Sequence, residues 1–177
     1  MKRTISIILL VLITVGLLLP GVMAANDKVV ITYGETTYNN QDYKNIVDNY
    51  FSTSSNIHEA GVKVISADEV NKISTSISQK VYNSNQIFSS ALVDLRNGDD
   101  LDVDVDTSKI TTINEDMYKS ALKTAGITKG HVVVTSPVSS TGESALAGVM
   151  GCYEQATGVE VPEDVKKSAN EEIMTEQ

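Results

Sequence analysis

The sequence predicts an α+β fold in a single layered domain, with a mixed α/β arrangement as the alternative, and three observations carry that reading. Short β-branched runs alternate along the chain with segments whose apolar residues recur at helical spacing. A favoured turn dipeptide, Asn97-Gly98, stands between two apolar-alternating runs and signals a hairpin. No repeat, low-complexity tract or linker interrupts residues 25–177, so about five helices on a small sheet are expected to share one core.

The elements follow in order. Val29 to Tyr33 is β-branched and stops at Gly34, which suits a strand. Asn39 or Asn40 can cap a helix whose inner face carries Tyr43, Ile46, Val47, Tyr50 and Phe51. Val62 to Ile65 is a short second strand. It leads into Ser66 and Glu69, spaced as a capping box, before a helix lined by Val70, Ile73, Ile77 and Val81. In the hairpin, Ile87–Arg96 faces Leu101–Asp106. Side-chain parity argues for an odd-length loop or a bulge, because only then do Leu95 with Leu101, Val93 with Val103 and Ala91 with Val105 share the buried face. A third helix buries Met117, Tyr118, Ala121, Leu122 and Ala125, is capped by Thr112 with Glu115 or by Asn114, and ends at Gly126. Val132 to Thr135 is the last strand. Ser140 and Glu143 are expected to open a fourth helix ending at Gly158, and Pro162 to open a fifth with Val165, Ala169 and Ile173 inward.

The first residues carry an address. Lys2 and Arg3 precede an apolar run from Ile5 to Leu19, then Pro20-Gly21, then Val22-Met23-Ala24 where a signal peptidase reads small or aliphatic residues. The run is short of the roughly 20 residues that cross a bilayer comfortably. Residues 1–24 are therefore read as a signal peptide cleaved after Ala24, with Ala25 as the second site and an uncleaved anchor as the alternative. The expected location is secreted or on the outer face of the membrane, with no span left after cleavage. Composition narrows the partners. The net charge is −9, and loss of Lys2 and Arg3 makes the remainder more acidic, so nucleic acid is not an expected partner. Cys152 is the lone cysteine, which leaves stability to the core.

Candidate chemistry is sparse. The hairpin register places Asp94, Asp100, Asp102, Asp104 and Asp106 on one outer face, and Asp100, Asp102, Asp104 and Asp106 are the calcium candidates. Asp102-x-Asp104-x-Asp106 resembles the start of an EF-hand loop, but Thr107 takes the glycine position and Ile113 the bidentate glutamate position. A solvated face that blocks edge pairing is the simpler account. Ser120 and Lys123 have the S-x-x-K spacing without its companion motifs, which suits the polar face of a helix. A nucleophilic Cys152 would need His58 or His131 as its base, whereas a packed core thiol needs neither. The hydroxyl-rich stretch Ser136–Gly142 suits a strand-to-helix turn as well as an anion site. No catalytic residue is assigned and no cofactor is expected.

The second half of the chain carries recognisable wording. Met117-Tyr118, Ala121-Leu122 and Thr124-Ala125-Gly126-Ile127, continued by Ser136-Pro137-Val138, Thr141-Gly142, Ala145-Leu146, Tyr153-Glu154, Thr157-Gly158 and Ala169-Asn170, resemble the secreted family of unknown function numbered 1002 (YpuA-like proteins). The resemblance is strongest over residues 87–175. It implies an exported prokaryotic protein and brings no catalytic residues with it. The expected function is that of a non-catalytic extracellular or cell-envelope binding module with an unknown envelope partner. A secreted hydrolase built from dispersed residues, Ser120 with Lys123 or Cys152, is the alternative.

Overall fold

Val132, Val133 and Val134 form an unbroken apolar run, and a strand buried on both faces belongs inside a sheet. The computed structural model, which describes residues 28–74, 80–96 and 99–176, puts it there. The segment read as a signal peptide and the Asn97-Gly98 dipeptide lie outside those residues. In chain order the elements are β1 (Val29–Gly34), α1 (Glu35–Tyr38), α2 (Gln41–Ser54), β2 (Gly61–Ile65), α3 (Ala67–Ser74), β3 (Ser90–Asp94), β4 (Leu101–Val105), α4 (Glu115–Thr124), β5 (Gly130–Thr135), α5 (Glu143–Thr157) and α6 (Glu163–Glu176). The five strands form one sheet in the order β2-β1-β3-β5-β4. β1 pairs in parallel with β2, β4 in parallel with β5, and β3 runs antiparallel to both of its neighbours. The α+β reading holds.

The hairpin does not form. β5 lies between β3 and β4, so the strands flanking Asn97-Gly98 are never neighbours. The parity argument nevertheless found the correct rows. Val93 and Val103 both pair with Val132, Ala91 and Val105 both with Val134, and Asp94 and Asp102 both with His131. Burial explains the insertion. β4 alternates buried and exposed residues, as an edge strand does, whereas all of β3 and all of β5 except His131 are buried. Pairing β4 directly with β3 would have pushed Val133 out to an edge.

Two layers of helix cover the sheet. On one face α2 sets Val47 and Phe51 against Val29, Ile31, Tyr33, Leu92 and Val133. This smaller core takes no residue from β4, whose Asp102 and Asp104 stay exposed beside it. On the other face α5 crosses β1 and β3, with α4 over β4 and α6 packed on α4 and α3. α5 is buried nearly all round, as a central helix must be. It lies close to the sheet because of Gly148, where an added Cβ would sit 2.6 Å from the Thr32 hydroxyl.

Local signals mostly became the expected contacts. Asn40 caps α2, accepting from the amides of Asp42 and Tyr43. Ser66 and Glu69 form their reciprocal box, and Asn114 caps α4 through the Met117 amide. Three readings need correction, the first being Ile46, which is 45% exposed and not on the inner face of α2. Ser140 does not cap α5; Gly142 holds that position at φ 94°, and Glu143 turns instead to the Lys80 ammonium and the Tyr82 hydroxyl. Val81 lines no helix: α3 is described to Ser74, and Val81 is 68% exposed.

Candidate functional site

The side chains weighed as nucleophiles, Cys152 and Ser120, are sealed or occupied. Cys152 faces the sheet from α5, fully buried, with its thiol donating to the Val30 carbonyl at 3.3 Å. Burial pushes that thiol up to about 12, and a thiol so raised is a poor nucleophile. Neither histidine can serve it. His131 projects from the opposite face of the sheet, where its neighbour two residues on, Val133, joins the α2 core, and His58 stands exposed in a turn. Cys152→Ala is expected to cost about 1 kcal/mol as a small cavity. Native protein should react with thiol reagents only as fast as it unfolds, and rapid labelling of the folded chain would contradict this placement. Ser120 and Thr124, one turn apart on α4, both donate to the Glu172 carboxylate of α6. Those bonds hold Glu172 below the usual carboxylate range. Ser120 therefore clips two helices together, and Lys123 stands exposed beside it.

The five aspartates of the expected ribbon have separate fates. Asp94 is buried, and its carboxylate takes the Arg96 guanidinium at 2.6 Å and the Ser55 hydroxyl at 2.7 Å. Burial alone would raise it, but these bonds outweigh burial and hold it below the usual carboxylate range. Asp106 accepts from Thr135 at 2.7 Å and from the Ser108 hydroxyl at 2.6 Å. Asp100 is exposed ahead of β4, its carbonyl accepting from the Gly130 amide. Asp102 and Asp104 remain on the open face of β4, and His131 of β5 joins them. Its Nε2 lies 2.8 Å from the Asp104 carboxylate. The sequence held one signal for this, since His131, Val133 and Thr135 alternate toward the same side of β5.

Sequence reasoning missed a second place altogether. A cleft of about 140 Å³ opens between β2, α3, α5 and α6. Ile65, Ile73 and Ala147 supply its apolar lining, and Gly151 leaves room over the helix. Three lysines and three glutamates surround it: Lys63 pairs with Glu69 at 3.5 Å, and Lys166 reaches Glu154 at 2.9 Å and Glu163 at 3.4 Å. Burial would lower the Lys166 ammonium, but those two carboxylates outweigh it and hold it above the usual lysine range. Lys72 is exposed at the cleft, and no ion pair holds it among the described residues. These residues come from four separate elements, so no spacing in the chain announces them.

A five-stranded mixed sheet with helices on both faces, one sealed thiol and a charged cleft define an α+β protein in which Ser120 and Cys152 are committed to packing. The chain belongs to the family described as proteins of unknown function (DUF1002), whose model matches residues 33–177. The match thus reaches back through α2 and β2 as well as the second half. The uncharacterized protein YpuA of Bacillus subtilis (strain 168) is 35% identical over 114 residues, which cover 64% of this chain and 39% of that protein. No solved structure matches the chain. Among the described residues, no helix is long and apolar enough to cross a membrane.

Proposed function

We propose that the chain is an exported, non-catalytic binding module of the cell envelope that holds a small zwitterionic ligand in the cleft between β2, α3, α5 and α6. The observation that carries this is the cleft's lining, in which three lysines and three glutamates stand beside the apolar Ile65, Ile73 and Ala147. Pockets for small molecules combine apolar walls with a few placed polar groups. The volume suits a ligand of amino-acid size, since about 140 Å³ holds on the order of five waters at roughly 30 Å³ each. Lys72 would receive the ligand's carboxylate and Glu163 its ammonium. The hydrolase alternative draws no support from Ser120, which is held by Glu172, or from Cys152, which is sealed under α5.

Titrating the chain with a panel of free amino acids and dipeptides, followed by amide NMR, tests the reading. At least one should shift the resonances of Gly151 and Lys72 at millimolar concentration. Gly151→Met, which fills the cleft from α5, and Lys72→Glu, which reverses an exposed charge, should each abolish the shifts while the fold persists. Shifts that survive both variants, or none at 10 mM (about 2.7 kcal/mol of affinity), would discard the cleft. Export is tested separately. The protein recovered outside the cytoplasm is expected to begin at Ala25 or Asn26. A chain that begins at Met1 and sediments with membranes would make the N-terminus an anchor.

A further inference from the structure

Asp102, Asp104 and His131 meet because parallel pairing of β4 with β5 puts Asp102 directly opposite His131, with Asp104 two residues further along the same face. The ligand atoms of the three side chains all lie within 4.8 Å of one another. Around an ion bound at about 2.0–2.2 Å, neighbouring ligand atoms stand roughly 3–4 Å apart. A small rotation of exposed side chains therefore closes the set. Asp102 and Asp104 are exposed and His131 half-buried, so solvent can exchange with an ion there.

The surrounding charges leave this group without a fixed cation. Arg96 is spent on Asp94, and Thr135 and Ser108 satisfy Asp106. Among the described residues, no lysine or arginine pairs with Asp102 or Asp104. Of the two, Asp104 acts across the open face on Tyr50 of α2. Burial raises the Tyr50 phenol most, and Asp106, Asp104 and Glu115 raise it further. An imidazole between two otherwise unpaired carboxylates is a mixed nitrogen and oxygen donor set. Such donors suit zinc or manganese, whereas calcium requires 6–8 oxygens.

We propose that Asp102, Asp104 and His131 form an open three-ligand site for a divalent first-row transition ion. Its remaining coordination positions face solvent and are free for water or for an anionic group of a ligand. The ion would give this acidic face of the sheet a place to hold an anion. The site lies on the α2 face of the sheet and the cleft on the α5 face, so it stands whether or not the cleft binds anything.

The test uses the full chain in mild detergent, with any affinity tag removed and Cys152 left in place, since that thiol is buried. Zinc chloride binding is followed by equilibrium dialysis and by melting, with calcium chloride and sodium chloride at matched ionic strength as controls. About one equivalent of zinc should bind at micromolar concentration and raise the melting temperature by several degrees. His131→Gln and Asp102→Asn should each weaken zinc at least 10-fold, while Asp106→Asn should leave it within 2-fold. Both weakening variants change exposed or half-exposed side chains, and their metal-free melting confirms that they fold. Zinc binding that survives His131→Gln, calcium stabilisation equal to that of zinc, or no zinc effect beyond sodium chloride would each overturn the site. The last result would leave His131 and Asp104 as a plain hydrogen-bonded pair.

Discussion

Gly34→Ala is expected to lower the melting temperature by about 10 °C, from a loss of about 3 kcal/mol or more. A Cβ at Gly34 would sit 2.3 Å from the carbonyl oxygen of Ile87 and 2.9 Å from that of Ser89. Both are backbone atoms, so no side chain can swing aside. The Ile87 carbonyl is also engaged, accepting from the Thr36 amide at 3.0 Å. Relief would require the 87–89 segment to retreat, breaking the tie that leads into β3. Gly34 itself is ordinary extended backbone at φ −60°, so alanine meets no dihedral objection there. Gly126→Ala is the matching control. Nothing lies within 4 Å of its Cβ, but φ is 78°, and the left-handed backbone should cost about 1 kcal/mol. Equal, small losses for the two variants would mean that β1 and the Ile87 segment do not approach this closely.

Asp94→Ala is expected to cost about 2 kcal/mol near neutral pH, because several hydrogen bonds to a charged and buried carboxylate are lost together. The pH dependence follows from the sign of its shift. Asp94 titrates below its ordinary value of about 3.9 when folded, so the unfolded chain takes up its proton first as acid is added. Its contribution is fully present above about pH 5. It is lost as pH falls through the unfolded value and then the folded one. Wild type and Asp94→Ala should therefore differ most near pH 7 and converge toward pH 3 in urea titrations. A gap that stays constant down to pH 3 would show that packing, and no ionised carboxylate, supplied the difference.

Segment type was legible in the residues because its causes are local. Asn40, Ser66 with Glu69, and Asn114 satisfy helix amides a few residues away, and Gly126 and Gly158 take the left-handed turn that ends a helix. These contacts form whatever the rest of the chain does. Ser140 failed as a cap because a distant segment intervened. Lys80 and Tyr82 engage Glu143 across more than 60 residues, and the Ser140 hydroxyl meets Ser89.

Row and face were legible too, since parity and burial decide which residues of β3 and β4 share a level. Adjacency was not. Asn97-Gly98 favours a tight turn only through a local backbone preference, whereas exposing Val133 at an edge would forfeit about 2 kcal/mol for one side chain. Summed over Val132, Val133 and Val134, burial wins and β5 enters between the two strands. That single insertion decided what the sequence left open about the site. It brought His131 between Asp94 and Asp102, and turned a row of aspartates into one arginine-paired carboxylate and an imidazole flanked by two others. The sequence by itself determined the α+β class, the caps at Asn40, Ser66 and Asn114 and the rows of the sheet; the export signal is what it proposes. Which strand lies beside which, and so which charges meet, was decided only by the tertiary structure, because buried area is a property of the assembled sheet and of no segment alone.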